Sequence, residues 1–183
     1  RDQRRAILVS AQADPFNPLT IGVKSTDRWN QSSLLDLSPS RFCSVQAISQ
    51  PLRHGTLTRK TLTSERLGNT REVAVYRPRT AQPARWTLIL FDGKTYLDEY
   101  HIDRVIDGLV ARHQLPPVNV VFVDSLDHSR RGKELPPNPS FADFMAYELV
   151  PWLRQQGIAL SRQKTVLAGS SYGGVASSWG ALR

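Results

Sequence analysis

The run Lys164-Thr165-Val166-Leu167-Ala168-Gly169-Ser170-Ser171-Tyr172-Gly173-Gly174-Val175-Ala176-Ser177-Ser178-Trp179 decides how the rest of the chain is read. It opens as a short strand and closes as the start of a helix, with G-x-S-x-G between them. That context separates a nucleophile elbow from a chance match. The chemistry demands a very tight turn: the serine takes a strained backbone conformation, and its neighbours must be small to avoid collision. Gly169 and Gly173 meet that need, and Gly174 adds room. The Ser171 oxygen would then project from the carboxyl end of a sheet, at the positive end of a helix dipole. The Tyr172 N–H would point at the oxyanion formed when Ser171 attacks a carbonyl. An ordinary glycine-rich β-to-α turn is the plain alternative. A second oxyanion donor has to come from the loop after an earlier strand. Phe91-Asp92-Gly93-Lys94 ends such a strand, and the Lys94 N–H is the expected donor, with Gly93 the neighbouring choice and a simple glycine turn the other reading.

Outward from the elbow, strands and helices alternate. Trp86-Thr87-Leu88-Ile89-Leu90-Phe91 and Val118-Asn119-Val120-Val121-Phe122-Val123 are nearly unbroken apolar runs, as expected of strands covered on both faces. Residues 96–113 carry Leu97, Tyr100, Val105, Ile106, Leu109 and Val110 at helical spacing, and Pro116-Pro117 stops that helix. Residues 126–139 read as a polar loop. Ser140 is the expected N-cap of the next helix, whose buried stripe is Phe141, Phe144, Met145, Leu149, Trp152 and Leu153, and which Pro151 is expected to kink or shorten. Upstream, β-rich runs at 57–63 and 72–77 flank the turn formers Leu67-Gly68-Asn69-Thr70, a hairpin signal. The order predicts an α/β fold: a mostly parallel sheet with helices on both faces, to which the hairpin adds antiparallel edge strands.

The chain has 183 residues, 40% of them hydrophobic and 22% charged, which suits one domain or one plus a piece of another. Disorder, collagen-like repeats and coiled coil are excluded, and no apolar run approaches the roughly 18 residues of a membrane span. Cys43 is the only cysteine, so neither an intrachain disulfide nor a metal cluster is expected, and the lone thiol fits a reducing compartment. The formal net charge is +8, with eight basic against two acidic residues between positions 51 and 85. That balance suits a solvated basic face or any anionic partner, whether nucleic acid, an acidic membrane or a negatively charged small molecule. No RRM signature, zinc-finger spacing or basic helix supports nucleic acid. Residues 1–50, rich in turn formers, are expected to be the tail of an upstream β-rich domain plus a linker, and 51–183 the N-terminal part of the domain that carries the elbow.

Several stretches together resemble the enterochelin (ferric enterobactin) esterase family, a branch of the α/β-hydrolases. They are Ser64-Glu65-Arg66-Leu67-Gly68-Asn69-Thr70-Arg71, Leu90-Phe91-Asp92-Gly93, Gln114-Leu115-Pro116-Pro117, Arg131-Gly132-Lys133-Glu134-Leu135-Pro136-Pro137-Asn138 and Ala168-Gly169-Ser170-Ser171-Tyr172-Gly173-Gly174. Ala13-Asp14-Pro15-Phe16-Asn17-Pro18 is similar to the connection after that family's N-terminal β-sandwich. The resemblance implies an α/β-hydrolase-type sheet and a cytoplasmic esterase without a cofactor. Its substrate would be a catecholate siderophore trilactone, the ferric complex bringing its own iron. It also implies Ser171 as nucleophile and Tyr172 and Lys94 as oxyanion donors. Arg131 becomes a candidate for holding the anionic catecholate, since a planar guanidinium suits its oxygens. Arg130 and Asp92 are counted with it as substrate-binding residues. The other reading of Arg131 is a structural pair with Glu134 or Glu148, and His128 is read as a solvated loop histidine. Other acyl esters, feruloyl or acetyl, and a non-catalytic binding module on the same fold are the competing functions.

The chain departs from the family pattern in one respect. In α/β-hydrolases the nucleophile is followed by the acid and then the histidine. Here His54, His101, His113 and His128 all precede Ser171, and none of the twelve residues after it is Asp, Glu or His. The chain is thus expected to be a fragment lacking turnover on its own, with the acid and base beyond Arg183 and a fold incomplete at the C-terminus.

Overall fold

Two separate sheets organise the computed structural model, which describes residues 55–182 and three short strand segments ahead of them. The chain divides into two compact units, Arg1–Ile48 and Ser49–Arg183. In the first, β1 (Ile7–Leu8), β2 (Thr20–Ile21) and β3 (Ser32–Leu35) form an antiparallel sheet in the order β1-β3-β2, with Ile7 in register with Leu35 and Thr20 with Ser33. The 13–18 connection, Cys43, Arg53 and His54 lie outside the described residues.

The second unit holds β4 (Thr56–Ser64), β5 (Asn69–Arg77), β6 (Trp86–Phe91), β7 (Val118–Val123) and β8 (Thr165–Ala168), in the order β4-β5-β7-β6-β8. β4, β5 and β7 are antiparallel neighbours, whereas β6 runs parallel to both β7 and β8. The hairpin is expected to supply edge strands, but of its two strands β4 alone lies at an edge. β5 pairs with β7 on its other side, and Val73, Ala74, Val75 and Tyr76 are buried. Its apolar run without alternation marks a strand covered on two faces.

Side chains alternate across this sheet, and each face has its own core. On one, Val73, Val75, Ile89, Phe91, Val121 and Val123 pack with Phe141, Phe144, Leu149, Leu153 and Ala176. These last come from α3 (Pro139–Phe144), the π-helical turn Met145–Leu149, α4 (Val150–Gln155) and α5 (Tyr172–Leu182). On the other face, Ala74, Tyr76, Leu90, Val120 and Phe122 pack with Leu97, Ile106 and Val110. Leu97 lies in the π-helical turn Thr95–Glu99, and the other two in α1 (Ile102–Ala111).

Three sequence expectations need correcting. The single helix over 96–113 is split at Tyr100-His101, because His101 adopts a left-handed conformation (φ 50°) and starts α1 afresh. The polar loop over 126–139 contains a helix, α2 (His128–Glu134). Asp127 caps it by accepting a hydrogen bond from the Arg130 N–H at 2.8 Å, and Arg131 and Lys133 in its last turn complement the dipole. The N-cap of α3 is Asn138, not Ser140. Its side chain accepts from the N–H groups of Ser140 (2.9 Å) and Phe141 (3.3 Å), and Pro139 occupies the first turn, where its missing N–H costs nothing.

A buried tyrosine ties the start of β4 and the end of β5 to α1. The Tyr76 hydroxyl donates to the Asp107 carboxylate, which also accepts the Gly55 N–H at 3.1 Å. Burial, followed by the Asp107 hydrogen bond, pushes the phenol well above its ordinary pKa of 10.0. The unfolded chain therefore loses this proton near pH 10 while the native protein keeps it, so stability falls as pH rises past 10. In Tyr76→Phe, urea unfolding between pH 9 and 11 is expected to show a shallower loss of stability than in the wild type. Equal slopes would refute the assignment.

Candidate active site

The carboxyl ends of β6 and β8 lie side by side, with Leu90 in register with Ala168. From Ala168 the chain turns through Gly169-Ser170-Ser171 and enters α5 at Tyr172. Ser171 takes φ 53°, in the left-handed region, which costs a residue with a Cβ roughly 1–2 kcal/mol. The turn is closed by the Gly173 N–H on Ser170 O (2.8 Å) and the Val175 N–H on Ser171 O (3.1 Å). Gly169 is sterically required: a Cβ there would lie 2.7 Å from the Gly173 carbonyl carbon. A Cβ on Gly173 would sit 3.2 Å from Asp92 Oδ2. These contacts are the physical content of G-x-S-x-G here.

Beside the elbow runs the loop after β6. Asp92 is also left-handed, at φ 57°. A Cβ on Gly93 would come within 2.5 Å of the backbone of Phe122 and Val123, so only glycine lets this loop lie against β7. Lys94 follows in helical conformation (φ −62°, ψ −44°) at the head of the π-helical turn.

Arg131 joins these two segments. Its Nε donates to Asp92 Oδ1 at 2.7 Å and its Nη2 to Asp92 Oδ2 at 2.8 Å, a bidentate pair. Nη2 also reaches Ser170 O at 3.5 Å, and the guanidinium carbon lies 5.4 Å from the Tyr172 ring centre. The Ser125 hydroxyl donates to the same Asp92 Oδ1 at 2.8 Å. Hydrogen bonding to Asp92, the largest influence, raises the Arg131 pKa further above its ordinary value. The partner of Arg131 is thus Asp92, and neither Glu134 nor Glu148. Glu134 binds Arg71 (2.7 Å), and Glu148 accepts from the Ser64 hydroxyl and the N–H groups of Glu65 and Arg66.

The predicted residues fall into three places. Asp92, Lys94, Arg131 and Ser170 line a cleft of about 400 Å³ together with Tyr96, Ser125 and His128. Ser171 opens onto an adjoining shallow depression with Pro137, Val175, Ser178 and Trp179, and Tyr172, which follows it, is 45% exposed. Arg130 is elsewhere: its Nη1 points to Leu67 O at 3.5 Å, toward the β4–β5 connection. Among the described residues the Ser171 hydroxyl makes no hydrogen bond, and none of His101, His113 and His128 bonds to it. Among them also, no group of three or more His, Cys, Asp or Glu is placed to hold a metal ion, and no helix is long and apolar enough to cross a membrane. Sequence reasoning missed Ser125 and Tyr96. It missed α2 as well, although Asp127 three residues before Arg130 was a readable cap signal.

A sequence model of the Esterase family, described as "Putative esterase", matches residues 64–183. An iron(III) enterobactin esterase of Escherichia coli O6:H1 is 30% identical over 189 aligned residues, covering 100% of this chain and 45% of its own length. The iron(III) salmochelin esterase of the same strain is 29% identical, covering 97% of this chain and 43% of its own length. Among solved structures, the enterochelin esterase of Shigella flexneri superposes with a TM-score of 0.69 at 28% identity, over 93% of this chain and 42% of that one. The same enzyme crystallised in the presence of enterobactin gives 0.70 at 26%, over 91% and 43%. The chain spans less than half the length of these relatives. With the family match covering most of the second unit, the chain belongs to the Esterase family and is similar to iron(III) enterobactin esterases along its whole length.

Proposed function

We propose that the protein carrying this chain is a cytoplasmic serine esterase that opens the ester bonds of a catecholate siderophore trilactone, bound as its ferric complex. Iron arrives as part of the substrate. The observation that carries this reading is Ser171, held left-handed between a strand and a helix at the carboxyl edge of the sheet. The likeness to enterobactin and salmochelin esterases supports the substrate class.

In this reading Ser171 Oγ adds to the ester carbonyl as its proton passes to a general base. The oxyanion is met by the N–H groups of Tyr172 and Lys94, or Gly93 in place of Lys94. The tetrahedral intermediate expels the seryl alkoxide, which takes the proton back, and water then hydrolyses the acyl-enzyme. The base and its acid partner are assigned outside residues 55–182. Arg131 has a second role open to it: its Nη1 donates no hydrogen bond to a described residue and is available to a catecholate oxygen in the adjoining cleft. Arg130 and Lys133 add positive charge on the same helix.

The test is chromatography of products from the ferric trilactone with the full-length gene product, its Ser171→Ala variant and the 183-residue chain alone. Catecholoyl-serine from the full-length wild type only is the expected result. Cleavage of simple aryl esters without cleavage of the trilactone would keep the elbow and refute the substrate. Binding without any hydrolysis would leave a ligand-binding module.

A further inference from the structure

One guanidinium touches both segments from which the oxyanion donors are drawn. Arg131 grips Asp92, two residues before Lys94, with two hydrogen bonds. The same Nη2 reaches the carbonyl of Ser170, next to the nucleophile, and the guanidinium lies over the ring of Tyr172. Asp92 is itself fixed from a third side by Ser125, just after β7. The Asp92–Arg131 pair is largely shielded, with side chains 12% and 23% exposed. Both Asp92 and Ser171 hold left-handed conformations, which persist only where the surroundings over-determine them. An oxyanion hole tolerates displacements of only about 0.5 Å. Neither segment is tied to the other by the sheet ladder, which ends at Leu90–Ala168 on this side.

We infer that Asp92 and Arg131 are a positioning pair that sets the spacing of the two oxyanion donors, with Ser125 orienting the carboxylate. The inference rests on the esterase reading and concerns residues that reading had given to substrate binding. It makes a prediction opposite in sign to a pure binding role. If Arg131 only held the anionic ligand and Asp92 only masked its charge, then Asp92→Asn would free the guanidinium and lower KM for the ferric complex. If the pair sets the oxyanion hole, the same change leaves KM nearly unaltered and lowers kcat, on a neutral ester as well.

The experiment measures kcat and KM for the full-length gene product on a neutral p-nitrophenyl ester and on the anionic ferric trilactone. Asp92→Asn is chosen because asparagine tolerates a left-handed φ, and Arg131→Lys because lysine keeps the charge but cannot form the bidentate grip. Each is expected to lower kcat on both substrates by about 100-fold, the loss typical of one oxyanion donor. Their double variant should lose little more than the worse single, as expected of one coupled unit. Ser125→Ala, which leaves both charges in place, should show a smaller fall in kcat at constant KM, and carries the test should either of the others fail to fold. Unchanged kcat on the neutral ester, or an effect confined to KM for the ferric complex, overturns the positioning role while the esterase reading stands. A wild type that hydrolyses neither substrate, and whose Ser171 does not react with a fluorophosphonate, overturns the esterase reading and this inference with it.

Discussion

Ser171→Gly in the full-length gene product is expected to abolish ester hydrolysis, a fall in kcat of at least about 10⁴-fold. It should also make the protein more stable than Ser171→Ala by about 1 kcal/mol. The two effects share one cause. The elbow holds Ser171 at φ 53°, where a Cβ crowds the carbonyl oxygen and glycine has no such crowding. Alanine removes the nucleophile but keeps that strain. Glycine removes both, at the cost of a more flexible unfolded chain, which trims the gain. Urea unfolding of the two variants, beside a product assay on the trilactone, reads both numbers. Retained hydrolysis in either variant would place the nucleophile elsewhere. A glycine variant less stable than the alanine one would show that the left-handed turn is not a reservoir of strain.

The largest loss of stability is expected from Glu134→Ala, about 3–5 kcal/mol, the range for removing one partner of a buried ion pair. Arg71 is 1% exposed and Glu134 5%. The Arg71 guanidinium donates to Glu134 (2.7 Å), to Asn69 Oδ1 (2.9 Å) and to the carbonyl of Asp124 (3.2 Å), and lies 5.0 Å from the Phe144 ring centre. Glu134 also accepts from Asn69 Nδ2 at 2.9 Å. Truncating Glu134 leaves a buried cation without its counter-charge and loosens the start of β5 from α2. The paired replacement Arg71→Met with Glu134→Leu removes both charges at similar bulk, and is expected to cost far less than Glu134→Ala. Denaturant unfolding of the single and double variants checks the difference. A single variant within about 1 kcal/mol of the wild type would mean the site admits water, which screens exposed charges to that level.

Hairpin, strands and elbow were legible because each rests on a local rule. The strands β6 and β7 announce themselves as apolar runs, and Gly169 occupies a place where any Cβ would collide with the backbone, while one on Gly173 would crowd Asp92. The break at His101 was hidden: Leu97, Tyr100 and Val105 keep helical spacing across it, and nothing in the pattern records a left-handed φ at a histidine. α2 was hidden because its seven residues, His128–Glu134, carry no apolar stripe. It is short and held by its cap and its ion pairs, and a short polar helix and a polar loop share one composition.

Partner choice was beyond any local reading. The sequence offers 24 Lys and Arg to 16 Asp and Glu, and charge attraction alone does not select among them. Arg131 finds Asp92 across 39 positions, Arg71 finds Glu134 across 63 and Ser64 finds Glu148 across 84. Each match is made by the order of strands in the sheet, which brings the end of β4, the start of β5 and the end of β6 beside α2 and the helical run that follows it. Backbone sterics, acting between near neighbours, wrote the turn that exposes Ser171 into the primary structure. The electrostatic contacts around it depend on distances that exist only once the chain has folded.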